Sequence, residues 1–158
     1  MVSRNPAAAI CLSIAALLVV TFATLAFASS PVVSRSLPEE REATAQKFVT
    51  QALRIWQNRL NLKEWDIRVE LVRPDALEPR TLGNIHWDTN NKHATIDVLS
   101  AYDYTLPLPE MLDDMEFTVV HELVHLHLAS LPRSDATSRN EEYAVNQIAH
   151  ALLNLSKR

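Results

Sequence analysis

The amino-acid sequence predicts an α+β domain in which an N-terminal helix precedes a three-stranded sheet and two helices follow it. Three observations carry this expectation. Apolar residues recur every three or four positions before residue 60 and again after residue 109, the period of a helix with one buried face. Between these stretches lie short runs, 64–72, 81–88 and 92–99, rich in branched and aromatic residues and bounded by turn-forming segments. The chain has 158 residues, 47% apolar and 22% charged, a composition that suits one packed core and not a disordered segment.

The chain opens differently from the rest. Arg4 is followed by an uncharged run from Asn5 to Pro31, which closes on Ala26-Phe27-Ala28 before Ser29. Residues 1–28 therefore read as an export signal cut after Ala28. A run of about 20 apolar residues could instead stay in place as a membrane anchor. Either reading delivers the remainder across a membrane, to the periplasm or the exterior. Cys11, the only cysteine, sits inside the apolar run behind Ile10 and does not fit a lipoprotein signal. A chain cut after Ala28 has no cysteine and forms no disulfide, so its stability must come from a core, with or without a metal. Residues 29–37 carry Pro31 and several polar side chains and read as a linker to a domain over 38–158. The net charge of -4 and a pI near 5.8 leave no basic stripe for phosphates, which excludes nucleic acid as a partner.

The first helix is expected over about 38–60. Pro38 suits its first turn, Glu39, Glu40 and Glu42 suit the positive end of its dipole, and Phe48, Ala52, Ile55, Trp56 and Leu60 form its inward face. In 64–72, Trp65, Ile67, Val69 and Leu71 alternate with Asp66, Arg68 and Glu70, as a half-buried strand requires. Residues 81–88 and 92–99 flank Thr89-Asn90-Asn91 and read as a β-hairpin. Gly83, the only glycine, falls inside a strand and signals a bulge or a close backbone approach. A second helix is expected over about 109–129 and a third over about 139–155.

The second helix carries His121-Glu122-Leu123-Val124-His125, an H-E-x-x-H pattern. Residues four apart share a helix face, so both imidazoles can address one metal ion. Glu122, one residue on, can then reach a water bound to that ion and act as general base. The pattern arises by chance about 0.015 times in a shuffled chain of this composition. Its setting is apolar, and burying two histidines and a glutamate is costly unless something pairs with them. His127 points about 200° away from His125 around the helix and belongs to the surface.

A catalytic zinc usually takes three protein ligands and leaves one position for water. Leu128 and Leu131 stand where a metzincin would have glycine and histidine, so the third ligand must come from elsewhere. Glu141 and Glu142 are the candidates. Ser138-Arg139-Asn140-Glu141 matches a capping box, which would turn Glu141 back to the start of the third helix. Glu142 is then left to point inward, on the face that continues through Val145, Ala149 and Leu152, with Asn146 able to hydrogen-bond a ligand. Glu142 is preferred, and Glu141 remains the alternative.

His121, Glu122, His125 and Glu142 together resemble the glutamate-ligand zincins (gluzincins), and the last 50 or so residues resemble small bacterial and phage metallopeptidases. The resemblance implies a minimal zincin-like fold, with Zn2+ on His121, His125 and Glu142, and hydrolysis of a peptide or protein substrate. It also implies that the sheet packs beside the active-site helix and that its edge strand binds an extended peptide. The spacing from His125 to Glu142 is shorter than in large gluzincins, and a chain this short implies a shallow cleft. Tyr102, Tyr104, Tyr143 and His150 are candidates for stabilising the oxyanion, and each also reads as structural. His86, Trp87 and Asp88 are candidates for lining a substrate groove, with Trp87 also read as core. The rival expectation is a zinc-stabilised binding module without turnover, against which the presence of Glu122 argues.

Overall fold

Helix α1 spans Leu37–Arg59, one residue earlier than the sequence suggests. Pro38 lies in its first turn, and Glu39 Oε2 accepts the Ser36 N–H at 2.9 Å. Its buried face is Ala45, Val49, Ala52, Leu53 and Trp56. That corrects the expected face at one point, because Ile55 is 40% exposed, while Phe48 and Leu60 pack at the edge of the core. At 100° per residue, the stripe through Ala45, Val49, Ala52 and Trp56 is centred about 90° from Ile55. These observations come from a computed structural model that describes residues 36–131 and 135–157, with the backbone alone for 135–138. The expected export segment (1–28), and all of the expected linker except Ser36 and Leu37, lie outside the described residues.

Strands β1 (Asp66–Val72), β2 (Gly83–Asp88) and β3 (His93–Leu99) form one mixed sheet in the order β1-β3-β2. The expected hairpin is present: β2 and β3 run antiparallel from Gly83 opposite Val98 to Asp88 opposite His93. Its loop is one residue longer than expected, because Lys92 adopts φ 52 and cannot continue the strand. β1 pairs with β3 in parallel, Asp66 opposite His93 through Val72 opposite Leu99. β3 is thus the central strand, and its Ala94, Ile96 and Val98 are buried at a period of two.

Helix α2 (Leu108–His127) packs against α1, β2, β3 and helix α3 (Asp135–Ser156). Among the described residues the architecture is therefore three α-helices and a three-stranded mixed sheet, an α+β fold. Met111, Met115, Val119, Val120 and Leu123 of α2 are fully buried in the core between α1 and the sheet. Trp56 of α1 closes one side of that core, and its indole N–H donates to Glu116 Oε1 at 2.8 Å. α3 begins four residues before the expected start, so Ser138 lies within it. The proposed capping box therefore does not exist. Among the described residues, no helix is long and apolar enough to cross a membrane.

The hairpin loop owes its shape to Asp88. Its carboxylate accepts the Asn91 side-chain amide at 2.7 Å and the Asn90 N–H at 2.8 Å. These bonds, the Asn91 side chain first, hold the Asp88 carboxyl below the usual aspartate range. A depressed carboxyl contributes stability above its unfolded value and loses it as pH falls through the folded one. An NMR titration should therefore show the Asn90 and Asn91 amide shifts changing at a pH below that of an ordinary aspartate, and Asp88→Ala should abolish the step.

Candidate metal centre

One face of α2 carries Asp114, Thr118, His121 and His125, three or four residues apart, with Glu122 beside them, and all five line an open cleft of about 790 Å3. The opposite wall is the start of β2 (Gly83, Asn84, Ile85) with Trp87, and the loop before it adds Glu78 and Arg80. From α3 come Glu142 and Asn146, four residues apart on one face, while Val145 and Ala149 beside them are buried.

The close approach of β2 to α2 depends on Gly83. A Cβ there would collide with Thr118 Cγ2 and lie 2.8 Å from the Asp97 carbonyl oxygen. The expected close backbone approach is therefore present, and it brings β2 alongside Glu122. Gly83→Ala should destabilise the domain by about 1–3 kcal/mol in urea unfolding, because packed side chains and a strand carbonyl would have to shift.

Three donors converge across the α2–α3 contact. His121 Nε2 and His125 Nε2 are 3.0 Å apart. Glu142 Oε2 is 3.4 Å from the first and Glu142 Oε1 is 3.1 Å from the second. His121, His125 and Glu142 could together hold a metal ion. Ligands about 2.0–2.1 Å from a tetrahedral zinc lie about 3.3 Å from one another, close to the spacings found here. Two imidazole nitrogens this close repel if both present lone pairs, unless a proton or a cation lies between them.

The second nitrogens of the two rings are treated differently. His125 Nδ1 faces Glu141 Oε1 at 3.1 Å. With a metal ion on Nε2, the ring would carry its proton on Nδ1 and donate it to this carboxylate. Glu141 thus meets Nδ1 of His125, whereas Glu142 is the carboxylate grouped with the two Nε2 atoms, and the capping argument has no part in this. His121 Nδ1 is buried without a hydrogen-bond partner, although Asn146 acts on the ring. Burial, and then the neighbouring His125, keep His121 below the usual histidine range, while Glu142 and Asn146 pull the other way.

Glu122 is 6% exposed, and its carboxylate makes no hydrogen bond among the described residues. Burial, and then the negative charges of Glu142 and Asp97, push it up to about 8. A cation beside the carboxylate would oppose that shift.

The remaining expected residues divide clearly. Trp87 lines the cleft and packs against the core, but His86 and Asp88 do not reach the cleft. His86 is exposed, 3.7 Å from Asp97 Oδ2. None of Tyr102, Tyr104, Tyr143 and His150 lines the cleft. Tyr104 donates its hydroxyl to Asp114 Oδ2 at 2.9 Å, Tyr143 is 68% exposed, and the His150 ring stacks 4.5 Å from that of Phe117. His127 is on the surface as expected, and its Nε2–H donates to the Leu60 carbonyl at 2.7 Å, tying the end of α2 to the end of α1.

The sequence reading missed Glu141 as the His125 partner and Asp114, Glu78 and Arg80 as cleft residues. Asp114 was legible, seven residues before His121 on the same helical face. Glu78 and Arg80 lie in a loop, where periodicity has no bearing.

Replacing the Glu141 carboxylate by an amide leaves all three cluster donors in place but weakens the contact that orients the His125 ring. Glu141→Gln should keep one metal per chain and weaken its binding by about 10- to 100-fold in chelator competition.

No protein-family model, curated protein or solved structure matches this chain.

Proposed function

We propose that this chain is a zinc-dependent metallopeptidase of the gluzincin type, acting on an exported protein or peptide. One observation carries the reading: His121, His125 and Glu142 converge at 3.0–3.4 Å, with the Glu122 carboxylate in the same cleft. Two neutral imidazoles and a carboxylate are a donor set that zinc accepts, and their spacing fits one ion. Zinc held there supplies Lewis acidity, polarising a peptide carbonyl and lowering the pKa of water towards neutrality.

The chain's own groups do the rest. Glu142 and the histidine pair bind, and Glu141 fixes the orientation of the His125 ring. Glu122 takes a proton from the attacking water and returns it to the leaving amine nitrogen. β2 has β3 on one side, and among the described residues no strand pairs with its other edge. An extended peptide can add there by main-chain hydrogen bonds and pass beside Glu122. The apolar run over residues 5–31 supports an exported location.

The non-catalytic alternative has one observation in its favour. α3 packs chiefly against α2, and the cluster bridges the two helices, so metal could serve to hold α3 in place. The two readings separate in one experiment. Wild type should bind one zinc per chain and cleave an unstructured protein such as casein, and Glu122→Gln should bind zinc equally well and lose about 100- to 10,000-fold in rate. Zinc binding without any cleavage, with unfolding on chelation, would select the binding module. Absence of zinc, or full activity in Glu122→Gln, would end the peptidase reading.

A further inference from the structure

Among the described residues, Arg80 is the only lysine or arginine lining the cleft. It sits in the turn from Glu78 to Thr81, closed by the Thr81 N–H to the Glu78 carbonyl at 3.1 Å and by the Thr81 hydroxyl to the same oxygen at 2.9 Å. Pro79 occupies the second position and Arg80 the third, with φ 72. A proline followed by a residue of positive φ is the pattern of a type II turn, whose third position favours glycine or asparagine. A side chain with a Cβ is strained there. The turn therefore holds arginine where its own stereochemistry would select glycine, and strained positions of this kind concentrate at functional sites.

The guanidinium has no hydrogen-bond or ion-pair partner among the described residues. That is unexpected in a cleft also lined by Glu78, Asp114, Glu122 and Glu142. Three of those acids are occupied or enclosed: Glu142 meets the two histidines, Asp114 accepts from Tyr104, and Glu122 is buried. Arg80 thus remains as an exposed cation lining the cleft. It stands three residues before Gly83, where β2 begins beside Glu122. A peptide laid along β2 would meet it at one end.

We propose that Arg80 is the substrate-carboxylate receptor of this cleft, a specificity residue for the peptidase reading on which the proposal rests. A planar guanidinium pairs with a carboxylate through two parallel hydrogen bonds, and no other lysine or arginine among the described residues lines the cleft. The carboxylate is either the free C-terminus of a peptide or an acidic side chain near the cleaved bond. The first would make the enzyme act at chain ends, and the second would give it an acidic preference within chains.

The test uses the zinc-loaded full chain carrying Glu122→Gln, so that probes stay intact, and calorimetry as the readout. The probes are N-acetyl tetra-alanine as free acid, its C-terminal amide, and that amide with one alanine replaced by glutamate or by glutamine. The parent should bind one carboxylate-bearing probe about 10- to 100-fold more tightly than its neutral counterpart. Adding Arg80→Gln should erase the difference without changing the affinity for neutral probes, and Arg80→Lys should restore part of it. Preference for the free acid identifies end recognition, and preference for the glutamate probe identifies side-chain recognition. Arg80→Gly should remove the preference while leaving Tm unchanged or raised by a few degrees, because glycine suits the turn. A fall in Tm would mark Arg80 as structural and overturn the proposal. So would the lack of any carboxylate preference in the parent, or a preference that survives Arg80→Gln. Failure of the peptidase reading looks different: the preference would stand, while the chain with Glu122 intact would cleave nothing.

Discussion

α2 has to bury two unlike stripes at once, and the rest of the domain is arranged around that demand. Met111, Met115, Val119 and Leu123 recur every four residues and are fully buried in the core. A second stripe, Asp114, Thr118, His121 and His125, points into the cleft, with Glu122 beside it. Apolar burial on the first stripe is favourable in proportion to area. The second is costly unless each polar group finds a partner. α3 supplies those partners, with Glu141 against His125 and Glu142 against both rings. The contact between α2 and α3 therefore has an electrostatic part as well as an apolar one, and Glu142, one of the two carboxylates that meet the histidines, completes the candidate metal site.

The sheet contributes position. β3 is central and buried, which fixes β2 at an edge beside α2. Gly83 then sets the distance, since any Cβ would press on Thr118 and on the Asp97 carbonyl. The result is a cleft with one wall of unpaired strand edge and one wall of helix carrying the histidines. Such a groove suits an extended backbone, because the strand offers hydrogen bonds at the spacing a peptide needs. Charge is unevenly distributed along it. Glu122 and Glu142 lie with the histidine pair, while Glu78 and Arg80 stand in the loop leading into β2.

The capping argument that separated Glu141 from Glu142 does not hold, although it is Glu142 that groups with the two histidines. The match of Ser138 through Glu141 to a capping pattern assumed a helix starting near residue 139, whereas α3 starts at Asp135. Both carboxylates sit about two turns in, and both face α2. They differ in which nitrogen of His125 they meet: Glu141 takes Nδ1 and Glu142 takes Nε2. Adjacent positions on a helix differ by 100°, enough to send one side chain behind the ring and the other in front of it.

The three helices, the hairpin, the H-E-x-x-H pair and the exclusion of His127 were all determined by the sequence alone. Each depends on periodicity within a single segment: 3.6 residues for the helices and the histidine pair, two for Ile96 and its neighbours. The tertiary structure alone decided the parallel pairing of β1 with β3, the rotation of α1 that leaves Ile55 outside, and the role of Glu141. It also brought Arg80 to the mouth of the cleft. These depend on which surfaces meet between segments distant in the chain, and local pattern carries no record of that. Loops are the extreme case. Nothing in the residues from Leu77 to Leu82 repeats, so only the packing of β2 against α2 reveals that their turn opens onto the histidines.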